Sequence, residues 1–228
     1  MRKILFIIAF GTSVLTSCTK NNFIRSGISI GRFDGSLLEY MEHPGHSYDW
    51  DSTALMVRQA GEEMVRLFEG QDPNHPEITF FGPTNHSIRR YMLEKKIERV
   101  SDMDPDWCKE TLLRHICDGK IYRDNVPEGK GGNSVSIVEG GQKYTTLAGN
   151  VLWLYTTRGS YGNVEETGAV KLNMYGMKLN GTGKMINIAS TNIEPDNCVV
   201  HSLKYDYTIG KDLINILNSL KNTHLNMS

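Results

Sequence analysis

Side chains that could serve as a nucleophile, a base or a metal ligand are present, but not in the arrangements that such chemistry requires. The chain has no papain-like cysteine segment, and it has neither a CxxC pair nor an HExxH segment to hold zinc. The segment Gly129-Lys130-Gly131-Gly132 lacks the full spacing of a phosphate-binding loop, so we expect a flexible loop there. We therefore predict a protein that is not an enzyme, with no catalytic residues, no cofactor and no metal site.

Cysteines and a close pair of histidines remain as candidates for redox or metal chemistry. Cys108 and Cys117 lie in a stretch that we predict to be one helix, where a separation of about 13 Å would prevent a disulfide. With Cys198 they are expected to be buried free thiols, and a metal site is the alternative. His43 and His46 could bring two imidazoles together, but without a third ligand we expect a turn there, with a metal site as the alternative.

The N-terminus points to covalent attachment of lipid. Arg2 and Lys3 precede a mainly apolar stretch, residues 4–15, which is typical of a secretory signal and too short for a membrane-spanning helix of about 20 residues. The stretch closes with Leu15-Thr16-Ser17-Cys18, which resembles the bacterial lipobox. We predict acylation of Cys18. The alternative is an ordinary cleaved signal that ends by chance in a cysteine.

These features divide the chain into four parts. We predict a lipoprotein signal peptide over residues 1–17, a polar tether over 18–34, a folded domain over 35–209 and a C-terminal helix and tail over 210–228. Several acyl chains, each stabilised by about 0.8 kcal/mol per buried CH2, would hold Cys18 firmly in a membrane. The expected location is the cell envelope, at the outer membrane of a Gram-negative bacterium.

The overall charge argues against nucleic-acid partners. With 25 basic and 26 acidic side chains the formal net charge is -1, so the chain lacks the positive field on which such binding depends. Hydrophobic residues make up 39% and charged residues 22% of the sequence, a balance typical of one globular domain. Because no apolar stretch approaches the length of a membrane-spanning helix, we expect the membrane to be a partner only through the N-terminal lipid.

Hydrophobic periodicity and turn residues predict helices first and strands later. We expect helices over residues 52–69, from Asn85 onward, over 104–119 and over 212–221, and a short strand over 78–81. Thr84 or Asn85 could cap the second helix with a side-chain oxygen. Six further strands are expected over 134–139, 143–147, 151–156, 169–175, 184–189 and 198–205. This order favours an α+β domain with an antiparallel or mixed sheet.

Four segments carry motifs in a characteristic order. They are the strand and Pro-Thr-Asn turn of residues 79–88, the Leu-Leu-Arg-His segment of 112–116 with Gly119, the Thr-Leu-Ala-Gly turn of 146–149, and the closing Asn-Cys-Val-Val-His strand of 193–201. In this order and spacing they resemble the fasciclin-like domain family, an adhesion and binding module. The resemblance covers residues 35–209. It implies N-terminal helices packed on a β-sandwich or wedge of short strands, with a C-terminal helix.

The resemblance also implies binding residues. Arg114 and His115 stand where the family has a Tyr-His pair that contacts receptors in animal members, so they are candidates for partner binding, with Arg114 in place of the tyrosine. From their apolar neighbours alone, His115 and His201 are expected to hydrogen-bond buried backbone groups instead.

Two further features leave alternatives open. Asp51-Ser52-Thr53 is either a helix N-cap, which we favour, or an O-glycan acceptor in which Ser52 or Thr53 is modified. Trp50, Trp107 and Trp153 either belong to the core, which we favour, or offer a face on which sugar rings stack.

The leading hypothesis is a lipid-anchored envelope protein whose non-catalytic domain binds a protein or matrix partner. The alternative is an accessory glycan-binding lipoprotein of an outer-membrane nutrient uptake system. An enzyme acting on envelope polysaccharide is the least favoured function.

Overall fold

The computed structural model describes residues 31–131, 137–160, 162, 164, 167–177 and 183–211. The predicted signal peptide, Cys18, most of the predicted tether and the predicted helix over 212–221 lie outside these residues. Within the described part of the chain, no helix combines the length and the apolar character needed to cross a bilayer.

Helices dominate the first half of the domain, as the sequence predicted. They are α1 (Leu37–Glu42), α2 (Ser47–Gln59), α3 (Glu62–Phe68), α4 (Asn85–Lys95) and α5 (Pro105–Leu113). Short 3-10 turns occupy Pro44–His46, Val100–Asp102 and Arg123–Asn125. Helix α1, which the sequence analysis did not predict, begins with a capping box in which Ser36 and Glu39 exchange side-chain and backbone hydrogen bonds.

The predicted single helix over residues 52–69 is wrong, because two helices occupy this region. Gly61 separates α2 from α3 with a φ of 98°, a backbone conformation that residues with a side chain rarely adopt. Helix α2 also begins earlier than predicted, at Ser47. Ser52 and Thr53 therefore lie inside the helix, and the predicted N-cap at this position is wrong.

Helix α5 begins as predicted but ends early. Asp104 accepts a hydrogen bond from the backbone N–H of Trp107 at 2.7 Å, and Pro105 is the first helical residue. Residues 116–118 do not continue the helix, because their backbone pairs with the strand over Ile78–Gly82. Cys117 lies in this strand, so the prediction that Cys108 and Cys117 share a helix is wrong.

Strands follow in the second half. In chain order they are β1 (Ile78–Gly82), β2 (Ile116–Asp118), β3 (Gly129–Gly131), β4 (Ile137–Gly140), β5 (Gln142–Thr145), β6 (Val151–Arg158), β7 (Val170–Met177), β8 (Gly183–Ile186), β9 (Ile188–Ile193) and β10 (Cys198–Leu203). One sheet has the order β2-β1-β10-β9 and is mixed, since β1 and β10 are parallel. A second sheet, β5-β6-β7-β8, is antiparallel, and β3 pairs with β4.

Two expectations about this region are wrong. Residues 129–131 form strand β3 rather than a flexible loop, because their backbone pairs with β4. The single strand expected over 184–189 is two strands in different sheets. Asn187 joins them, and its carbonyl oxygen accepts a hydrogen bond from the Lys204 N–H at 2.9 Å. The strand before Asn187, β8, pairs with β7, and the strand after it, β9, pairs with β10.

One hydrophobic core joins the helices to both sheets. Phe68 of α3 contacts Phe80 of β1 edge-on with ring centroids 5.2 Å apart, and Leu154 and Met174 of the second sheet belong to the same buried cluster. The α+β class, with helices packed on layered strands, is therefore confirmed. Cys198 lies among these core residues, fully buried.

Cys108, Cys117 and Cys198 are buried free thiols, as predicted. Burial raises the pKa of Cys108 and of Cys117 to about 12, and it also raises the pKa of Cys198.

Candidate functional site

The two binding residues implied by the resemblance both lie in the interior. His115 is 0% exposed; its Nδ1 donates to the Thr111 carbonyl oxygen at 2.7 Å, and its Nε2 accepts from the Tyr207 hydroxyl at 2.8 Å. Burial lowers the pKa of His115 to about 4, so the ring is neutral near pH 7. Arg114 is also buried and pairs with Glu110 at 2.9 Å. The described conformation thus offers a partner little of either side chain, and their binding role stays a prediction.

His201 has the core role predicted for it. Its Nε2 donates to the Ile121 carbonyl oxygen at 2.8 Å, and its Nδ1 accepts from the Asn192 N–H at 3.4 Å. Burial lowers the pKa of His201 to about 4. With its contact to Thr111, His115 likewise hydrogen-bonds a buried backbone group, so both structural expectations are confirmed.

Two of the three tryptophans lie too deep to offer a sugar-stacking face. Trp50 and Trp153 are buried, and the Trp153 indole N–H donates to the Gly140 carbonyl oxygen at 2.9 Å. Trp107 is half-buried, with its ring stacked on Tyr91 at a centroid distance of 4.2 Å. Trp50 and Trp153 therefore have the core role that the sequence analysis favoured.

Ser52 and Thr53 are buried as well. The Thr53 hydroxyl donates to the Pro83 carbonyl oxygen at 2.7 Å. A glycan on either residue would have to displace the packing of α2 against the turn before α4.

His43 and His46 form the predicted turn. His43 precedes the 3-10 turn Pro44–His46 and His46 is its last residue, with the two ring centroids 5.1 Å apart, and His46 Nδ1 contacts the Tyr40 carbonyl oxygen at 2.7 Å. Among the residues that the structure describes, no three His, Cys, Asp or Glu side chains lie together as metal ligands would.

Sequence reasoning overlooked one catalytic spacing. Residues 27–31 read Gly-Ile-Ser-Ile-Gly, the spacing of the nucleophile elbow in serine hydrolases. That motif has meaning only on a sharp turn from a strand into a helix, and residues 27–30 lie outside the described part of the chain. Ser29 therefore carries no further assignment.

Exposed aromatic side chains gather at a cleft that the sequence did not reveal. Tyr48 is 76% exposed and Tyr205 is 69% exposed. The His86 ring lies between them, with centroids 5.8 Å from Tyr48 and 6.4 Å from Tyr205. The three rings border a cavity of about 500 Å³, which we call the aromatic cleft. It is lined by Tyr40, Tyr48, Asp49, Trp50, Thr84, His86, Ala189, Ser190, Ile193, Ser202, Leu203 and Tyr205.

Asn85 fixes the helical turn that carries Tyr48. Its Nδ2 donates to the carbonyl oxygens of Ser47 and Tyr48, both at 2.8 Å, and its Oδ1 accepts from the Ser52 N–H at 2.6 Å. The prediction that Thr84 or Asn85 caps α4 with a side-chain oxygen is wrong, because Asn85 serves α2 and the Thr84 hydroxyl has no hydrogen-bond partner. The Pro-Thr-Asn turn thus joins two helices.

Arg90 fixes the turn that carries Tyr205. Its guanidinium donates to the carbonyl oxygens of Tyr205 and Asp206, both at 2.7 Å. Arg90 lies one helical turn beyond His86 on α4, so a single helix positions the backbone on both sides of the cleft. A cationic donor bound to two carbonyl oxygens holds a turn more firmly than a neutral donor would.

The charge of the cleft comes from Asp49. This exposed carboxylate is in the first turn of α2, and the lining includes no lysine or arginine. Burial raises the pKa of the Tyr40 hydroxyl, and the charge of Asp49 contributes to that increase.

Comparison with known proteins places the chain in a family. The Fasciclin domain model matches residues 52–205. The chain is also similar to a FAS1 domain pair from the insect cell adhesion molecule Fasciclin I, at 14% identity and a TM-score of 0.37. That match covers 65% of this chain and 42% of the domain pair, so the chain spans less than half of that structure. A search of curated proteins found no match. Because the family model covers most of the chain, the protein belongs to the fasciclin domain family.

Proposed function

We propose that this protein is a lipid-anchored envelope protein whose fasciclin domain binds a protein or matrix partner through the aromatic cleft. Fasciclin domains generally serve in adhesion and binding. The observation that carries the proposal is the exposure of Tyr48 and Tyr205 on backbone that Asn85 and Arg90 hold in place. Large aromatic side chains that remain exposed on a well-held backbone are typical of binding hot spots.

The membrane attachment rests on the N-terminal sequence. Residues 4–15 and the segment that ends at Cys18 support export followed by acylation. The outer membrane of a Gram-negative bacterium is the proposed location, with the domain linked to the lipid by the polar segment that follows Cys18.

The arrangement of polar groups in the cleft favours binding without catalysis. Asp49, His86, Ser190 and Ser202 line the same cavity, but no hydrogen bond joins His86 to the other three in the described structure. A general base that acts directly on a hydroxyl needs such a contact. The two buried histidines are committed to hydrogen bonds in the core.

Glycan capture is the second candidate function. Its support is the hydroxyl groups of Ser190 and Ser202 in the lining, which could hydrogen-bond a sugar whose apolar face contacts Tyr48 or Tyr205. The site for this function would be the tyrosine rings rather than Trp50 or Trp153, because those two indoles are buried. A glycan array probed with wild type and with Tyr48→Ala tests this candidate.

Capture from envelope extract tests the leading proposal. The full chain, purified in detergent and immobilised, should retain a partner saturably, and Tyr48→Ala/Tyr205→Ala should retain at least tenfold less. Leu93→Ala is the matched control, since Leu93 is an exposed apolar residue of α4 that does not line the cleft. Equal retention by the double variant and by wild type would contradict the proposal.

A further inference from the structure

We infer that the aromatic cleft receives a positively charged side chain, lysine or arginine, from a protein partner. This inference rests on the proposed function and specifies the chemistry of the partner.

Asp49 is the one carboxylate that the described residues contribute to the lining of the cleft, and it lies in the first turn of α2. Asp49 makes no ion pair within the described part of the chain, and no lysine or arginine lines the cavity. Covering an exposed carboxylate with a ligand removes water from it, and that loss is offset only by an opposite charge or by good hydrogen bonds. A cationic side chain supplies both. An acidic ligand would be repelled.

Three aromatic rings border the cleft. Tyr48, His86 and Tyr205 stand one after another along the border of the cleft. A cation is attracted to an aromatic face within about 6 Å, and several aromatic groups around one recess are typical of sites for ammonium and guanidinium groups. Aromatic rings beside a single carboxylate favour such a guest over a purely apolar one.

The size of the cleft and the hydroxyl groups in its lining also suit a long cationic side chain. A cavity of about 500 Å³ is within the range of roughly 300–1,000 Å³ found for ligand sites, and it can hold a long side chain together with adjoining backbone. Ser190 and Ser202 bring hydroxyl oxygens that accept hydrogen bonds from an ammonium or a guanidinium group.

A neutral oligosaccharide is the competing guest. It would use the tyrosine rings and the hydroxyl groups, but it would cover Asp49 without neutralising it. The charge of Asp49 therefore distinguishes the two guests. Removing the charge strongly weakens binding of a cationic side chain, whereas an amide in its place still hydrogen-bonds a sugar hydroxyl.

Capped tripeptides provide the direct probe. The full chain in detergent, with 13C-labelled tyrosine rings, is titrated with acetyl-Gly-Lys-Gly-amide, with its arginine counterpart and with the version in which the lysine is Nε-acetylated. We expect saturable shifts of the Tyr48 and Tyr205 ring signals with the lysine or the arginine peptide. Acetylation, which removes the charge of the lysine, should weaken its binding at least fivefold.

Two matched variants isolate the charge. Asp49→Asn should weaken binding of the charged peptide at least fivefold. Asp51→Asn makes the same change at an exposed position of α2 that does not line the cleft, and it should leave binding unchanged. Thermal unfolding of both variants checks that each remains folded.

Several results would overturn the inference. They are equal binding of the charged and acetylated lysine peptides, no saturable shift with either charged peptide, equal effects of Asp49→Asn and Asp51→Asn, or ring shifts produced by neutral maltotriose instead. If partner capture depends on the two tyrosines but not on Asp49, only this inference fails. If capture does not depend on the tyrosines, the proposed function fails with it.

Discussion

The side chain of Asn85 binds the backbone of Tyr48: its Nδ2 donates to the Tyr48 carbonyl oxygen at 2.8 Å. Asn85 is 1% exposed, whereas Tyr48 is among the most exposed aromatic residues of the described chain. A buried amide at the start of α4 therefore fixes the position of an exposed ring on α2. Under the proposed function, this link between the Pro-Thr-Asn turn and the aromatic cleft would give the turn a role in binding as well as in folding.

Substitution of Asn85 should reduce both stability and binding. Asn85→Ala removes three hydrogen bonds and leaves the Ser52 N–H without its side-chain acceptor, so we expect a loss of about 2–4 kcal/mol in the free energy of unfolding. Urea unfolding measures the loss. Asn85→Asp retains an acceptor for Ser52 but loses both donors, and it should not restore partner capture. Wild-type capture by a folded Asn85→Ala protein would contradict the positioning role.

Substitution of Arg90 should separate binding from stability. Arg90→Lys has a single ammonium group in place of the fork that spans the carbonyl oxygens of Tyr205 and Asp206. Because Arg90 is partly exposed, we expect a loss of stability below about 1 kcal/mol and a several-fold loss of partner capture. Unfolding and capture are measured on the same preparation. A variant that loses neither would show that the turn holds Tyr205 without this contact.

The buried histidines should make stability depend on pH. The pKa of His115 and of His201 is lowered to about 4 in the folded protein, while an unfolded histidine titrates near 6.5. Between these values the unfolded chain binds more protons than the folded protein, so stability falls as the pH falls from about 6.5 to about 4. Below about pH 4 the two histidines contribute little further change in stability. At pH 5 each histidine should lower the free energy of unfolding by about 2 kcal/mol relative to pH 7.

Urea unfolding at several pH values tests this expectation. His201→Gln should remove about half of the decrease in the free energy of unfolding that the two histidines cause between pH 7 and pH 5. The other half remains because His115 is still a buried imidazole with a lowered pKa. The same slope in the wild type and in a folded His201→Gln protein would contradict it.

Arg114 provides a test of the binding role implied by the family resemblance. Its guanidinium is buried beside Glu110, so Arg114→Gln is expected to lower stability while leaving partner capture by the folded fraction unchanged. Loss of capture without loss of stability would instead assign the partner contact to Arg114.

Counting thiols tests the lipid attachment. The chain has four cysteines, and three of them, Cys108, Cys117 and Cys198, are buried with a raised pKa. In the native protein these three should react slowly with a thiol reagent, because the reactive thiolate is scarce. After denaturation, protein from its native membrane should show three reactive thiols if Cys18 is acylated. A fourth reactive thiol would contradict acylation.

Much of the fold could be predicted because its signals are local. The cap at Asp104, the proline that follows it and the apolar run at Ile78 each depend on neighbouring residues. The break at Gly61 was missed because hydrophobic residues continue with helical spacing on both sides of it. Strand β2 was missed because Ile116 pairs with Phe80, a contact that no local pattern shows.

The candidate site was beyond sequence reasoning for the same physical reason. The three rings of the cleft come from distant parts of the chain: Tyr48 from α2, His86 from α4 and Tyr205 from the turn after β10. Only the packing of these elements brings the rings together. Arg114 and His115 stood out in the sequence because they are part of a motif. In the described conformation both side chains lie in the interior, and their binding role stays a prediction.

The central claim is that a partner occupies the aromatic cleft, and site-specific crosslinking in intact cells that produce the protein tests it most directly. A photoreactive p-benzoylphenylalanine is placed at position 205, in place of Tyr205, and at position 93 on the exposed surface of α4 as the control. The account predicts a discrete crosslinked product from position 205, absent from position 93 and lost when Tyr48→Ala is added. No crosslink from position 205, or the same product from both positions, would contradict it.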